Sequence, residues 1–247
     1  MNVLILGASG GIGLGFVEKL LREGRVSRIY ATYRHRGSAE KLLNLADQYP
    51  QQLVCLQMDI GEESDIVAGV ETIRAGVETL DLAINCVGIL HGDNLQPEKS
   101  LRQVEGDRLM EYFRVNSIGG VLLAKHLLPL FPRDRRSVFA SISAKVGSIE
   151  DNHLGGWYGY RASKAALNML MRTAAIEYGR KCPQAIVVLL HPGTTDTPLS
   201  KPFQRNVPPD KLFSVDRTVD QLMAIVDRLD IADSGQFFSW DGTRLPY

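Results

Sequence analysis

Short apolar, often β-branched runs at Asn2–Leu6, Arg28–Tyr33, Gln52–Gln57, Asp81–Cys86, Ser137–Ile142 and Ala185–His191 alternate with longer segments of helical period. A parallel strand needs a crossover to reach its neighbour, and the intervening segments supply one each time. The alternation therefore predicts one α/β domain over residues 1–247, a doubly wound parallel sheet of about seven strands with helices on both faces. The last strand is expected near Gln236–Trp240. Helices are expected within Gly13–Glu23, Ser38–Gln48, Glu63–Val77, Leu101–Leu130, Trp157–Arg180 and Asp216–Leu229. In the long fourth interval Leu109, Met110, Phe113, Leu122, Leu123 and Leu127 suit a single buried stripe. The loop-like stretch from Pro192 to Ser214 carries prolines at 192, 198, 202, 208 and 209 and is a candidate lid over a ligand.

Twenty-eight basic and 28 acidic side chains cancel, so no global field draws the chain to nucleic acid or to an anionic membrane surface. A small-molecule partner is the better expectation. Apolar runs such as Ala185–Leu190 fall far short of the roughly 20 residues that cross a bilayer. The first residues run straight into a strand with no export pattern, and Cys55, Cys86 and Cys182 suit free, structural thiols, so a cytoplasmic location is expected. No His/Cys group has metal-ligand spacing, no carboxylates pair, and the Gly-x-Ser-x-Gly turn of serine hydrolases is missing.

The first strand empties into Gly7-Ala-Ser9-Gly10-Gly11-Ile12-Gly13, and a helical segment follows at once. Glycines at such a junction let backbone N–H groups and a helix N-terminus approach a pyrophosphate. A turn that merely tightens the strand–helix connection is the alternative; its place in the first βαβ unit favours the dinucleotide reading. The second strand ends in Arg34-His-Arg36 with no acid for the ribose hydroxyls, which favours NADP over NAD unless these are only solvated loop charges.

Of the tyrosines, only Tyr160 has a lysine four residues on, Lys164. One helix face then carries both groups, and a fixed positive charge lowers a phenol's pKa, suiting Tyr160 to proton transfer. His91, His153 and Trp157 read as packing or surface residues.

These features together resemble the short-chain dehydrogenase/reductase family over nearly the whole chain. Its glycine pattern is similar to Gly7-x-x-x-Gly11-x-Gly13, its adenine-contacting acid to Asp59 followed by Ile60, and its Asn-x-x-Gly to Asn85–Gly88. The family's helix asparagine matches Asn116, its Tyr-x-x-x-Lys matches Tyr160 and Lys164, and its Pro-Gly-x-x-x-Thr matches Pro192, Gly193 and Thr197. Asp151–Tyr160 and the ending Ser239-Trp-Asp-Gly look most like the C-factor and sniffer-type carbonyl reductase branch.

The resemblance implies a Rossmann domain that binds NADPH across the carboxyl edge of the sheet. The phosphates would lie on Gly11–Gly13 within the loop that includes Ser9 and Ile12. Asn85 and Gly88 would border the adenosine ribose, and Thr197 with the backbone near Thr195 would hold the carboxamide. A carbonyl or secondary alcohol would exchange hydride with the nicotinamide, with Tyr160 as proton donor or acceptor. Lys164 would tune Tyr160 and hold the ribose, Ser143 would polarise the carbonyl, and Asn116 would anchor a water that relays protons to Lys164. A homodimer or homotetramer through the helices carrying Asn116 and Tyr160 is implied as well.

One position departs from the pattern. The family's catalytic serine lies three residues before a glycine, and with Gly147 fixing the register that slot holds Ala144. Either Ser143 takes the role by a register shift, which is the favoured reading, or the hydroxyl is missing; Ser141 is more remote. Ala144 also supports a rival function, a nucleotide-binding signalling protein with weak turnover on the same fold. A second rival is an epimerase or dehydratase with tightly held cofactor, for which the chain is short.

Overall fold

The computed structural model describes residues 1–92 and 94–247. In chain order its strands are β1 (Asn2–Leu6), β2 (Arg28–Tyr33), β3 (Leu53–Gln57), β4 (Leu82–Asn85), β5 (Ser137–Ile142), β6 (Ala185–His191), β7 (Thr194–Thr195), β8 (Leu212–Phe213) and β9 (Phe237–Ser239). Its helices are α1 (Gly11–Glu23), α2 (Glu40–Gln48), α3 (Glu63–Gly76), α4 (Gly106–Phe113), α5 (Gly119–Leu127), α6 (Tyr158–Lys181) and α7 (Val215–Arg228). Seven strands form one parallel sheet in the order β3-β2-β1-β4-β5-β6-β9. The order reverses between β1 and β4, the switch point at which such a sheet opens a crevice at its carboxyl edge.

Strand alternation divides the core in two. Val3, Ile5, Ile84, Val138 and Val188 meet Phe16, Leu20, Leu42 and Leu222 from α1, α2 and α7 on one face. Leu4, Leu6, Ala83, Phe139 and Val187 meet Ile66, Leu123, Leu167 and Met171 from α3, α5 and α6 on the other. Every residue from Ala185 to Leu190 is buried, as a central strand covered on both sides requires.

The interval Leu101–Leu130 is not one helix. A π-helical stretch, Arg114–Ile118, separates α4 from α5. Its extra residue per turn rotates one segment's faces against the other's, so the single stripe fails. Leu123 and Leu127 are buried as expected, but Met110 is 68% exposed, and Tyr112 and Val115 take the inward places. The stretch from residue 192 to 214 is also more ordered than a plain loop: β7 pairs with β8 across its base, and 3-10 turns at Lys201–Asn206 and Pro209–Lys211 fill it.

Candidate active site

A cavity of about 690 Å³ opens at the carboxyl edge of the sheet, lined by Gly7 and Ser9–Gly13 at one end and by Tyr160 and Lys164 at the other. At the glycine end, a Cβ on Gly13 would lie 2.3 Å from the Gly7 carbonyl oxygen, so only glycine lets α1 start this close to β1. Gly11 has φ +54, and a Cβ there would meet the Thr197 methyl at 3.3 Å, which brings loop and lid face to face. Gly10 caps α1 with no side-chain hydrogen bond, and the first turn carries no acid. Its N–H groups and the positive end of the helix dipole therefore remain available to an anion, and the cradle fits a pyrophosphate.

Past β2, Arg34 and Arg36 are exposed. Neither guanidinium has an acceptor among the described residues. Neither arginine lines the cavity, whose wall on this loop is Ser38; a 2′-phosphate that reached the arginines would meet positive charge. Asp59 lies outside the cavity, and one of its carboxylate oxygens accepts the Gly61 N–H at 2.8 Å. Ile60 is core, 4% exposed. Asn85 is buried at the end of β4, where its Oδ1 accepts the Val87 N–H at 3.1 Å and shapes the turn that brings Gly88 to the cavity wall. Pro192, Gly193, Thr195 and Thr197 line the far wall.

Tyr160, Lys164 and Asn168 recur every fourth residue along the buried face of α6. The Lys164 ammonium donates to the Ile142 carbonyl at 3.0 Å and sits 6.0 Å from the Tyr160 ring centroid. A Cβ on Gly88 would lie 3.3 Å from Lys164 Nζ and 3.4 Å from Asn116 Oδ1, so this glycine lets the three approach. Burial decides their acidities. It pushes the Tyr160 phenol up from its ordinary value and pulls Lys164 down to about 8. Desolvation of the buried phenolate thus opposes the expected lowering of the phenol by its lysine. A phenol raised in this way is protonated at neutral pH.

Asn116 lies in the π turn and is 2% exposed. Its Oδ1 accepts the Ile89 N–H at 2.8 Å, and its Nδ2 donates to the Ile89 carbonyl at 2.9 Å and to Ser163 Oγ at 3.0 Å. The side chain clamps the loop after β4 to α6.

Ser143 lines the cavity beside Ala144, and its hydroxyl donates to Asn168 Oδ1 at 2.6 Å, which ties the end of β5 to α6. Ser141 is fully buried. Ala144 packs against the apolar cluster that includes Tyr160, Tyr112, Leu90 and Leu95, and it lines the cavity together with Ser143 and Tyr160.

The wall opposite is aromatic. Trp157 meets Tyr160 edge-on at 6.1 Å and Phe203 at 5.0 Å, and Phe203 meets His91 at 5.7 Å. His91 Nε2 lies 3.2 Å from the Pro198 carbonyl at the root of the lid. Trp157 thus lines the cavity as a packing residue, and His91 contacts the 192–214 stretch through Pro198. Trp157 has φ 55, unusual for a non-glycine residue, and Glu98 holds it there. The Glu98 carbonyl accepts the Trp157 N–H at 2.5 Å, and its carboxyl oxygen Oε2 accepts the Gly159 N–H at 3.1 Å. Glu98 and Phe203 carry no signal in the sequence, since they reach the site from distant segments. Asn168 does, as the next member of the Tyr160–Lys164 stripe.

Among the described residues there is no group of side chains that could hold a metal ion, and no helix is long and apolar enough to cross a membrane.

Residues 1–208 match the family described as short chain dehydrogenase. The NADPH-bound carbonyl reductase from chicken fatty liver shares the fold with a TM-score of 0.88 and 29% identity, over 100% of this chain and 98% of that one. The carbonyl reductase Sniffer of D. melanogaster gives a TM-score of 0.87 and 25% identity, over 100% and 99%. The C-signal of Myxococcus xanthus is 31% identical over 149 residues, covering 60% of this chain and 84% of that protein.

Proposed function

The chain belongs to the short chain dehydrogenase family, and from that membership we propose that it transfers hydride between NADP(H) and a carbonyl or secondary alcohol, with Tyr160 as proton donor and acceptor. One observation carries the reading: the glycine cradle and the Tyr160–Lys164 pair share one cavity at the sheet's carboxyl edge. Gly7, Ser9, Gly11, Ile12 and Gly13 would hold the phosphates, Arg34 the 2′-phosphate, and Gly88 the adenosine ribose beside the turn that Asn85 shapes. Pro192, Gly193, Thr195 and Thr197 would hold the carboxamide end, with Lys164 on the nicotinamide ribose. The reduced cofactor, when bound, supplies the hydride.

The protein's own part is acid catalysis and exclusion of water. Tyr160, kept protonated by burial, gives its proton to the carbonyl oxygen as negative charge develops there, a contribution of about 10² to 10⁴ in rate. Lys164, close to its titration point, stabilises the phenolate left behind. Trp157, Phe203 and the lid shield the reacting atoms from solvent.

A panel of aldehydes, ketones and quinones with NADPH and with NADH tests the proposal: turnover faster with NADPH supports it, and no oxidation of either cofactor by any carbonyl contradicts it. Ala144 favours a second reading, a weakly active nucleotide-binding signalling protein, which the same panel separates. Met110, Ile118, Met169 and Ile176, 68%, 41%, 67% and 50% exposed on and between α4, α5 and α6, support the expected homodimer or homotetramer.

A further inference from the structure

Resting on the carbonyl-reduction reading above, we propose that Ala144 makes this a one-donor carbonyl site, so that the enzyme selects substrates by the electrophilicity of the carbonyl itself. A carbonyl oxygen placed against Tyr160 enters a cavity whose wall there is Leu90, Ser143, Ala144, Val146 and Trp157. Three hydroxyls around the Tyr160 end are engaged within the fold. Ser143 donates to Asn168, Ser163 donates to the Tyr160 carbonyl at 2.8 Å, and Thr195 pairs with Thr218 at 2.8 Å. The Lys164 ammonium donates to the Ile142 carbonyl.

In the step, the carbonyl carbon gains a C–H bond and an electron pair as the C–H bond of the reduced nicotinamide breaks and that ring is oxidised. The carbonyl oxygen takes the Tyr160 proton, and the phenolate is reprotonated from solvent. Negative charge on that oxygen is shared with a single donor. Loss of one oxyanion donor costs about 10² to 10³ in rate in a site built with more. Substituents that withdraw charge from the oxygen offset this deficit, so activated carbonyls are turned over and unactivated ones are not.

The test compares wild type with Ala144→Ser on para-substituted benzaldehydes and NADPH. The substitution is expected to raise kcat/KM for p-methoxybenzaldehyde by about 10- to 100-fold and that for p-nitrobenzaldehyde by less than about threefold, flattening the dependence on substituent. Equal gains for both, or none for either, would overturn the proposal. A readout without turnover is the infrared C=O stretch of p-methoxyacetophenone bound beside NADP⁺: it should fall to lower wavenumber in Ala144→Ser, and an identical stretch in both proteins contradicts the second donor. The underlying reading fails separately. If Tyr160→Phe turns over these aldehydes as wild type does, the proton donor is misassigned whatever the Ala144 result.

Discussion

Ser143 and Asn168 are joined by a 2.6 Å hydrogen bond that ties the end of β5 to α6, about two turns beyond Tyr160. The hydroxyl nearest in sequence to the catalytic slot is therefore structural. Ser143→Ala should cost about 1–3 kcal/mol, because the buried Asn168 amide loses its donor, while kcat changes by less than about threefold. Chemical denaturation and steady-state kinetics check the pair of outcomes; a large fall in kcat with unchanged stability would return Ser143 to the chemistry.

Arg34 is exposed past the end of β2, with no acceptor for its guanidinium among the described residues, and Ser38 from the same loop lines the cavity. Arg34→Asp should raise the Kd for NADPH by about 10- to 100-fold, the range of a charge-assisted contact, and leave that for NADH nearly unchanged. Calorimetry with each cofactor measures this, and equal effects on both would remove the 2′-phosphate role.

Reduction needs a protonated Tyr160 and a charged Lys164. With the phenol raised and the lysine at about 8, kcat/KM should be flat below pH 8 and fall above it as Lys164 loses its charge. The same lysine has an ordinary value of 10.5, so between about 8 and 10.5 the folded state binds fewer protons than the unfolded chain, and this residue's contribution makes stability rise with pH. Activity and stability should diverge in that window. A reduction rate that climbs from pH 7 to 9 would contradict the assignment.

Glu98 supports the start of α6 through the Gly159 N–H and the Trp157 turn. Glu98→Ala strands a buried N–H and should cost about 1–3 kcal/mol, with a loss of kcat as Trp157 leaves its strained conformation. Glu98→Gln keeps an acceptor and should restore most of both. Melting curves and kinetics of the two variants decide; a glutamine variant as poor as the alanine one would show that the acceptor is not what matters.

The sheet was legible because β-branched apolar runs such as Ala185–Leu190 are what two-sided burial demands. The glycine cradle and the Tyr160–Lys164 stripe were legible for a similar reason, since each depends on local spacing alone. The helix break at Arg114–Ile118 was not, because Asn116 makes its bonds to Ile89 and Ser163, which no window of sequence contains. The acidity of Tyr160 was legible only in part: its neighbour Lys164 is in the sequence, but the burial that raises the phenol comes in part from Tyr112 and Leu90 on other segments. Ala144 was visible as a departure, and only the structure shows that Ser143 and Ala144 both line the cavity while the Ser143 hydroxyl is donated to Asn168.

The central claim is that Tyr160 supplies the proton in carbonyl reduction. Tyr160→Phe, assayed with NADPH and p-nitrobenzaldehyde, removes that proton and little else from the ring's packing. The account predicts a fall in kcat of at least about 10² with NADPH affinity unchanged; turnover equal to wild type would contradict it.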